Sequence, residues 1–202
     1  VNLDHMTPDQ RLYQAQRPEQ TADVLSQLAV DVSETVRRAV ALRSALPADL
    51  MVQMACDPSL WVRADIAQRR DLPEAAFARL AGDPTVVVRA IVAARHDLVT
   101  DQVGRFAEDQ DQYVRHAVAL RHHLPAQWLA KLAVDSVGTV RAIIAARNDT
   151  PADLVAQLVA DPDADVRRAV ARRADLPEDV LAKLAGDPDS IVQMTIKARR
   201  PK

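Results

Sequence analysis

Aspartate recurs in this chain as Asp31, Asp57, Asp83, Asp109, Asp135, Asp161 and Asp187, each 26 residues after the last and with no gap. A period that regular marks stacked supersecondary units, none of which can bury its apolar face alone. Other columns keep the register. Val follows at the fifth position after each Asp, as Val36, Val62, Val88, Val114, Val140, Val166 and Val192. Arg follows at the sixth, as Arg37, Arg63, Arg89, Arg115, Arg141 and Arg167, with Gln193 closing the series. A second Arg falls at the twelfth, as Arg43, Arg69, Arg95, Arg121, Arg147, Arg173 and Arg199. Leu-Pro comes next at Leu46-Pro47, Leu72-Pro73, Leu124-Pro125 and Leu176-Pro177, with Leu98-Val99 and Thr150-Pro151 as variants.

Each unit reads as two short helices. Asp followed by Pro, as at Asp57-Pro58 and Asp83-Pro84, predicts an N-cap with proline at the first helical position. Val88, Val92 and Arg95 then share one face at helical spacing. The second helix opens at the Leu-Pro, with acids such as Glu178 and Asp179 where the helix dipole favours them. Its apolar residues (Val180, Leu181, Leu184, Ala185) again keep helical spacing, and Gly82 and Gly186 supply C-terminal stops in two units. Helices of about ten residues are marginal alone, so stacking on neighbours must hold them.

The expected organisation is one continuous solenoid domain. Residues 1–30 form a degenerate capping repeat, with Gln10 and Arg11 where Val and Arg would fall. Residues 31–186 form six tandem repeats, and residues 187–202 a C-terminal half-repeat cap with Lys197 in place of the usual Ala. At about 8–10 Å between packed helices, six repeat steps give a body roughly 50–60 Å long.

Composition narrows the function. Aromatics are 3% and there are only 4 glycines, which counts against a β-sandwich, a glycine-rich phosphate loop and an aromatic stacking platform. A formal charge of −2 gives no global attraction to nucleic acid or to an anionic membrane. Cys56 is the single cysteine, which excludes an intrachain disulfide framework and any all-cysteine metal or cluster site, and fits a reducing, cytoplasmic setting. No apolar run approaches the ~20 residues that span a bilayer, so no membrane partner is expected. The opening VNLDHMTPDQ lacks the basic and apolar regions of a signal peptide.

The pattern D-P-x-x-x-V-R-x-x-V-A-x-R, followed by L-P-x-x-x-L-x-x-L-A, resembles the leucine-rich repeat variant family over nearly the whole chain after about residue 20. The Asp, Val and Arg columns also look like those of HEAT repeats, where such residues form a ladder between units. The resemblance implies a right-handed superhelix, in that family built from alternating α and 3₁₀ helices. The expected fold is thus an all-α, right-handed helical-repeat solenoid of two-helix repeats, one helix of each pair being open to a 3₁₀ form. Members of the family can carry a cysteine-rich iron–sulfur segment. With Cys56 alone, no cluster and no other cofactor is expected here.

The two Arg columns hold 13 of the 26 basic residues. Their structural reading is that the twelfth-position Arg bonds terminal carbonyls and lays its stem on the core, while the sixth-position Arg pairs with a repeated Asp. The alternative is an outward nucleic-acid face made of Arg37, Arg63, Arg89, Arg115, Arg141 and Arg167 with Arg70, His96, His122, Arg199 and Arg200. Four of the five histidines fall between His96 and His123, but no HExxH motif or complete ligand set accompanies them, so no metal site is expected. No catalytic constellation stands out. Cys56 reads as a small filler, and a helical-repeat enzyme of lyase or glycosylase type is the third-ranked reading.

The third and seventh positions after Asp point away from the Val core on a helical wheel. Glu34 and Arg38 occupy them in the first of the seven units, but middle units place Leu60 and Ala64, then Val86 and Ala90, there. Trp61, Val87 and Tyr113 lie alongside, and His116 continues the line. The leading expectation is therefore a non-enzymatic scaffold that holds a protein or peptide on this mid-array apolar strip. Homodimerisation through the same patch is a further outcome.

Overall fold

Val at the fifth position and Val or Ile at the ninth are what the fold is built on. From Val36 and Val40 to Val192 and Ile196, every one of these side chains is at most 1% exposed. The second helices add one large side chain per repeat: Leu28, Met54, Leu80, Phe106, Leu132, Leu158 and Leu184, each at most 2% exposed. Fully burying such side chains stabilises by about 1.5–3 kcal/mol apiece, which is how helices too short to stand alone persist.

The computed structural model describes residues 2–199, and the chain divides into two compact units, residues 1–95 and 96–202. The first unit holds α1 (Pro8–Gln16), α2 (Ala22–Leu28), α3 (Glu34–Ala41), α4 (Ala48–Met54), α5 (Leu60–Ala67), α6 (Glu74–Leu80) and α7 (Val86–Ala93). The second holds α8 (Thr100–Ala107), α9 (Gln112–Ala119), α10 (Ala126–Ala133) and α11 (Gly138–Ala146), then α12 (Ala152–Leu158), α13 (Ala164–Ala171), α14 (Glu178–Ala185) and α15 (Ser190–Lys197). Among the described residues the fold is all-α. Within each unit, first helices pack on the first helices of adjacent repeats, as α3 on α5 and α11 on α13, and second helices pack against first helices that flank them, as α6 on α5 and α7 and α12 on α11 and α13.

Two local expectations are corrected. The repeated Asp is not the N-cap: α5 begins three residues after Asp57, and its cap is Ser59. The carboxylate instead folds the turn ahead of the helix, accepting from the backbone N–H two residues on. Ser59 donates to Asp57 at 2.7 Å, Thr85 to Asp83 at 2.8 Å and Asp163 to Asp161 at 2.8 Å. Gly82 and Gly186 do stand at helix ends, Gly186 as the C-cap of α14 and Gly82 directly after Ala81, the C-cap of α6, and no described glycine has positive φ. The second helices close through i→i−3 bonds that any residue accommodates, such as Gly82 N–H to the Arg79 carbonyl at 3.2 Å. Lastly, the second helix is α-helical, with i→i−4 bonds such as Ala55 N–H to the Met51 carbonyl at 2.9 Å; the 3₁₀ character is confined to its final turn.

Candidate partner-binding surface

A sixth-position Arg leaves the first helix one residue after the buried Val, at the edge where the next repeat's Asp turn lies. Arg37 forks onto Asp57 with Nε and Nη2 at 2.7 and 3.0 Å, and Arg63 onto Asp83 at 2.6 and 3.1 Å. In the second unit Arg115 meets Asp135, Arg141 meets Asp161 and Arg167 meets Asp187, with Nε–O distances of 2.6–2.7 Å. Each Nη1 reaches back to the carbonyl of its own repeat's Asp, and Arg89 donates to the Asp83 carbonyl at 2.9 Å. One guanidinium thus ties two consecutive Asp turns together. Burial pushes the Asp83, Asp135 and Asp161 carboxyls up. The Arg hydrogen bond, a backbone N–H and the Arg charge together outweigh it and hold them below the usual carboxylate range. Arg11 plays the same part for the first repeat, meeting Asp31 at 2.5 Å, while Gln193 keeps only the bond to the Asp187 carbonyl at 2.7 Å.

The twelfth-position column turns the other way. Arg43 donates to the carbonyls of Ala15, Arg17 and Pro18 at 2.6–2.9 Å, the exposed end of α1. Arg69 and Arg95 do the same for α3 and α5, and Arg147 and Arg173 for α9 and α11. An arginine supplied by the next repeat therefore caps the C-terminus of each of these first helices, where cations are favoured. Sequence reasoning missed a further fork: Arg69, Arg147 and Arg173 also bind the Asp two residues on, through Nε and Nη2. The signal was present as Arg-x-Asp.

The outward nucleic-acid face is therefore not assembled as the alternative required. Arg37, Arg63, Arg115, Arg141 and Arg167 spend their donors on protein oxygens, and Arg89 is buried. Arg70, His96 and His122 are exposed, Arg199 is half-buried, and Arg200 lies outside the described residues. The register argument that brought His96 and His122 together holds, with ring centroids 5.7 Å apart. Among the described residues no three His, Cys, Asp or Glu side chains converge to hold a metal. A cysteine-ligated cluster does not fit these residues, because Cys56 is their only thiol.

On the apolar strip of the first unit, Trp61 is 52% exposed and Val87 48%, while Leu60, Val86 and Ala90 are half-buried. Ala64 is corrected from surface to core at 4% exposure: α3 and α7 pack on α5 from the neighbouring repeats, and the Gln68 side chain folds back to the Ala64 carbonyl at 3.4 Å. Arg38 was expected only as a polar contrast to the strip. It lies with its guanidinium carbon 6.0 Å from the Trp61 ring centroid, and it is fixed there by Asp65 at 2.7 Å. Asp65 itself is buried, so the indole is framed by a held cation rather than a mobile one. In the second unit Tyr113 is exposed and His116 half-buried on α9. The first-helix face of that unit also carries a shallow apolar groove of about 390 Å³ over α11, α13 and α15, lined by Ala142, Ile143, Ala169 and Ile191 and edged by Arg168 and Arg172. Sequence reading placed the strip in the middle units and did not extend it there.

No described helix is long and apolar enough to cross a membrane. Residues 138–163 and 164–189 match the family described as leucine rich repeat variant. A solved structure described as a leucine-rich repeat variant with a novel repetitive protein structural motif is 32% identical. It covers 98% of this chain and 78% of its own, with a TM-score of 0.79. The X-ray structure of YibA from E. coli is 17% identical over 99% of this chain and 100% of its own, with a TM-score of 0.49. No curated protein matches.

Proposed function

This chain belongs to the leucine-rich repeat variant family, and from that premise we propose that it is a non-enzymatic scaffold holding a protein or peptide partner on the apolar side of its first helices. The observation that carries the reading is Trp61. A large aromatic left 52% exposed, beside Val87 at 48% and under a fixed guanidinium, is the composition of an interface hot spot. A single exposed Leu or Val needs no explanation, but an aromatic and aliphatic cluster at the same register on α5 and α7 does. The proposed surface comprises Leu60, Trp61, Val86, Val87 and Ala90, with Arg38 at its rim. The occupant that suits it is an amphipathic segment with an aliphatic or aromatic anchor. The reducing cytoplasm is the setting that fits an exposed lone thiol at Cys56.

The test is photo-crosslinking from a reactive residue placed at Val87, in cells, with and without Trp61→Ala. The expected result is a crosslink to a different protein that falls at least tenfold with Trp61→Ala, while thermal stability changes by no more than about 1 kcal/mol, as for a surface site. A crosslink to a second copy of this chain alone would replace the partner by self-association. A loss of about 3–5 kcal/mol in Trp61→Ala would instead make Trp61 a core residue and remove the basis of the reading.

A further inference from the structure

In the second unit α11 and α13 are first helices of consecutive repeats, and they fill two equivalent positions differently. At the seventh and eleventh positions after the repeated Asp, α11 has Ala142 and Ala146, whereas α13 has Arg168 and Arg172. Short methyls beside long guanidinium stems leave the groove of about 390 Å³ over these helices. Ala142, Ile143, Ala146 and Ala169 give it an apolar floor, and Ile191 of α15, 42% exposed, also lines it. The two arginines differ in what holds them. Arg168 donates to Asp189 through Nε and Nη2 at 3.1 and 2.5 Å, and to Asp165 through Nη1 at 2.6 Å. One cation therefore faces two carboxylates, and the Asp165 side chain, 69% exposed, keeps acceptor capacity toward solvent. Arg172 is exposed and belongs to none of the ion pairs among the described residues. It stands seven residues after Asp165, about 10 Å along the helix. The groove thus has surplus negative charge at the start of α13 and surplus positive charge at its end.

We propose that this groove receives an amphipathic helix of a partner protein, laid antiparallel to α13, with a carboxylate on Arg172 and, seven residues later, a base on Asp165. The direction follows from the partner helix's own dipole, which favours acids in its first turn and bases in its last. Residues at i, i+3, i+4 and i+7 share one helix face, so the two between the charges meet the alanine floor and are apolar. The pattern recognised is acid-x-x-apolar-apolar-x-x-base, with anchors at the spacing that helix-in-groove binding uses. Trp61 takes no part in this groove, so either site can fail without the other.

The test is selection of phage-displayed helical peptides on the full chain, from a library that randomises those four face positions and keeps the remainder alanine-rich. The expected result is enrichment of Asp or Glu at the first position, Leu, Ile, Val or Met at the middle two, and Lys or Arg at the last. An enriched peptide, synthesised with blocked ends, should bind at least tenfold more weakly to Ala146→Phe, which sets a ring on the groove floor. On Arg172→Glu the same library should select a base at the first position in place of the acid. Ala146 and Arg172 are both exposed, so both variants should melt with the parent. Trp61→Ala should bind the peptide as the parent does. The proposal is overturned by a selection that enriches nothing, by enriched peptides that lack the acid-to-base order, or by peptides that bind both groove variants as they bind the parent. Loss of the peptide in Trp61→Ala would move the binding to α5 and overturn it too, as would self-association of the chain that covers the groove and excludes every peptide.

Discussion

Replacing Asp83 by Ala is expected to cost about 3–5 kcal/mol, the range for removing one partner of a buried ion pair. Exposed pairs are worth only about 0–1 kcal/mol, so the assignment turns on burial. The Asp83 side chain is 3% exposed and that of Arg63 11%, which puts the pair with the buried class. The carboxylate accepts from Arg63 Nε and Nη2 and from the Thr85 backbone N–H at 2.8 Å. Truncation therefore strands a guanidinium and opens a turn together. Asp83→Asn keeps an acceptor for Thr85 and should cost about half as much. Both are measured by urea unfolding followed by circular dichroism. The same pair sets an acid limit. The Asp83 carboxyl sits below its ordinary value when folded, so its contribution is full above the unfolded pKa of about 3.9 and is lost as pH falls through the folded one. A change of less than about 1 kcal/mol in Asp83→Ala would mean that the pair fastens nothing.

Arg173→Met is the second large effect, expected at about 2–5 kcal/mol. The Met keeps an apolar stem on the core but removes the donor shared by the Ala145 and Arg147 carbonyls at the end of α11. Each buried acceptor left without its bond costs about 1–3 kcal/mol. The Arg173 side chain is 3% exposed whereas that of its carboxylate partner, Asp175, is 58% exposed. Asp175→Ala should then cost less than about 1 kcal/mol. The contrast between the two variants, again by urea unfolding, separates helix capping from ion pairing. Equal losses would assign the energy to the ion pair instead.

Where one physical cause explains a whole column, the sequence alone was sufficient. The Val column could only be core, because one buried β-branched residue per repeat at a fixed register has no other use. The structural readings of the two Arg columns followed from where a long side chain leaving that helix can find oxygen. The limits appeared where two causes compete for the same residue. Asp57 and Asp83 have the residue type and the following proline of an N-cap, yet their carboxylates are drawn into the Arg fork, and Ser59 and Thr85 become the cap positions. Ala64 has the apolar character of a strip residue, yet it is buried on a helix that α3 and α7 both pack against. The Arg38–Asp65 pair spans 27 positions, one more than the repeat, so no column in the alignment displays it.

The arginines fasten repeats to one another, which leaves the apolar face as the proposed place for a partner. Titration of the full chain with labelled duplex and single-stranded DNA and RNA, at about 50 and about 200 mM salt, tests that division most directly. Phosphate contacts impose a steep salt dependence, on the order of one power of salt concentration for each phosphate neutralised on duplex DNA. Committed guanidiniums and a net charge of −2 predict no binding at the lower salt up to tens of micromolar protein. Tight binding at about 50 mM that collapses at about 200 mM would contradict the account and return the arginine columns to a nucleic-acid groove.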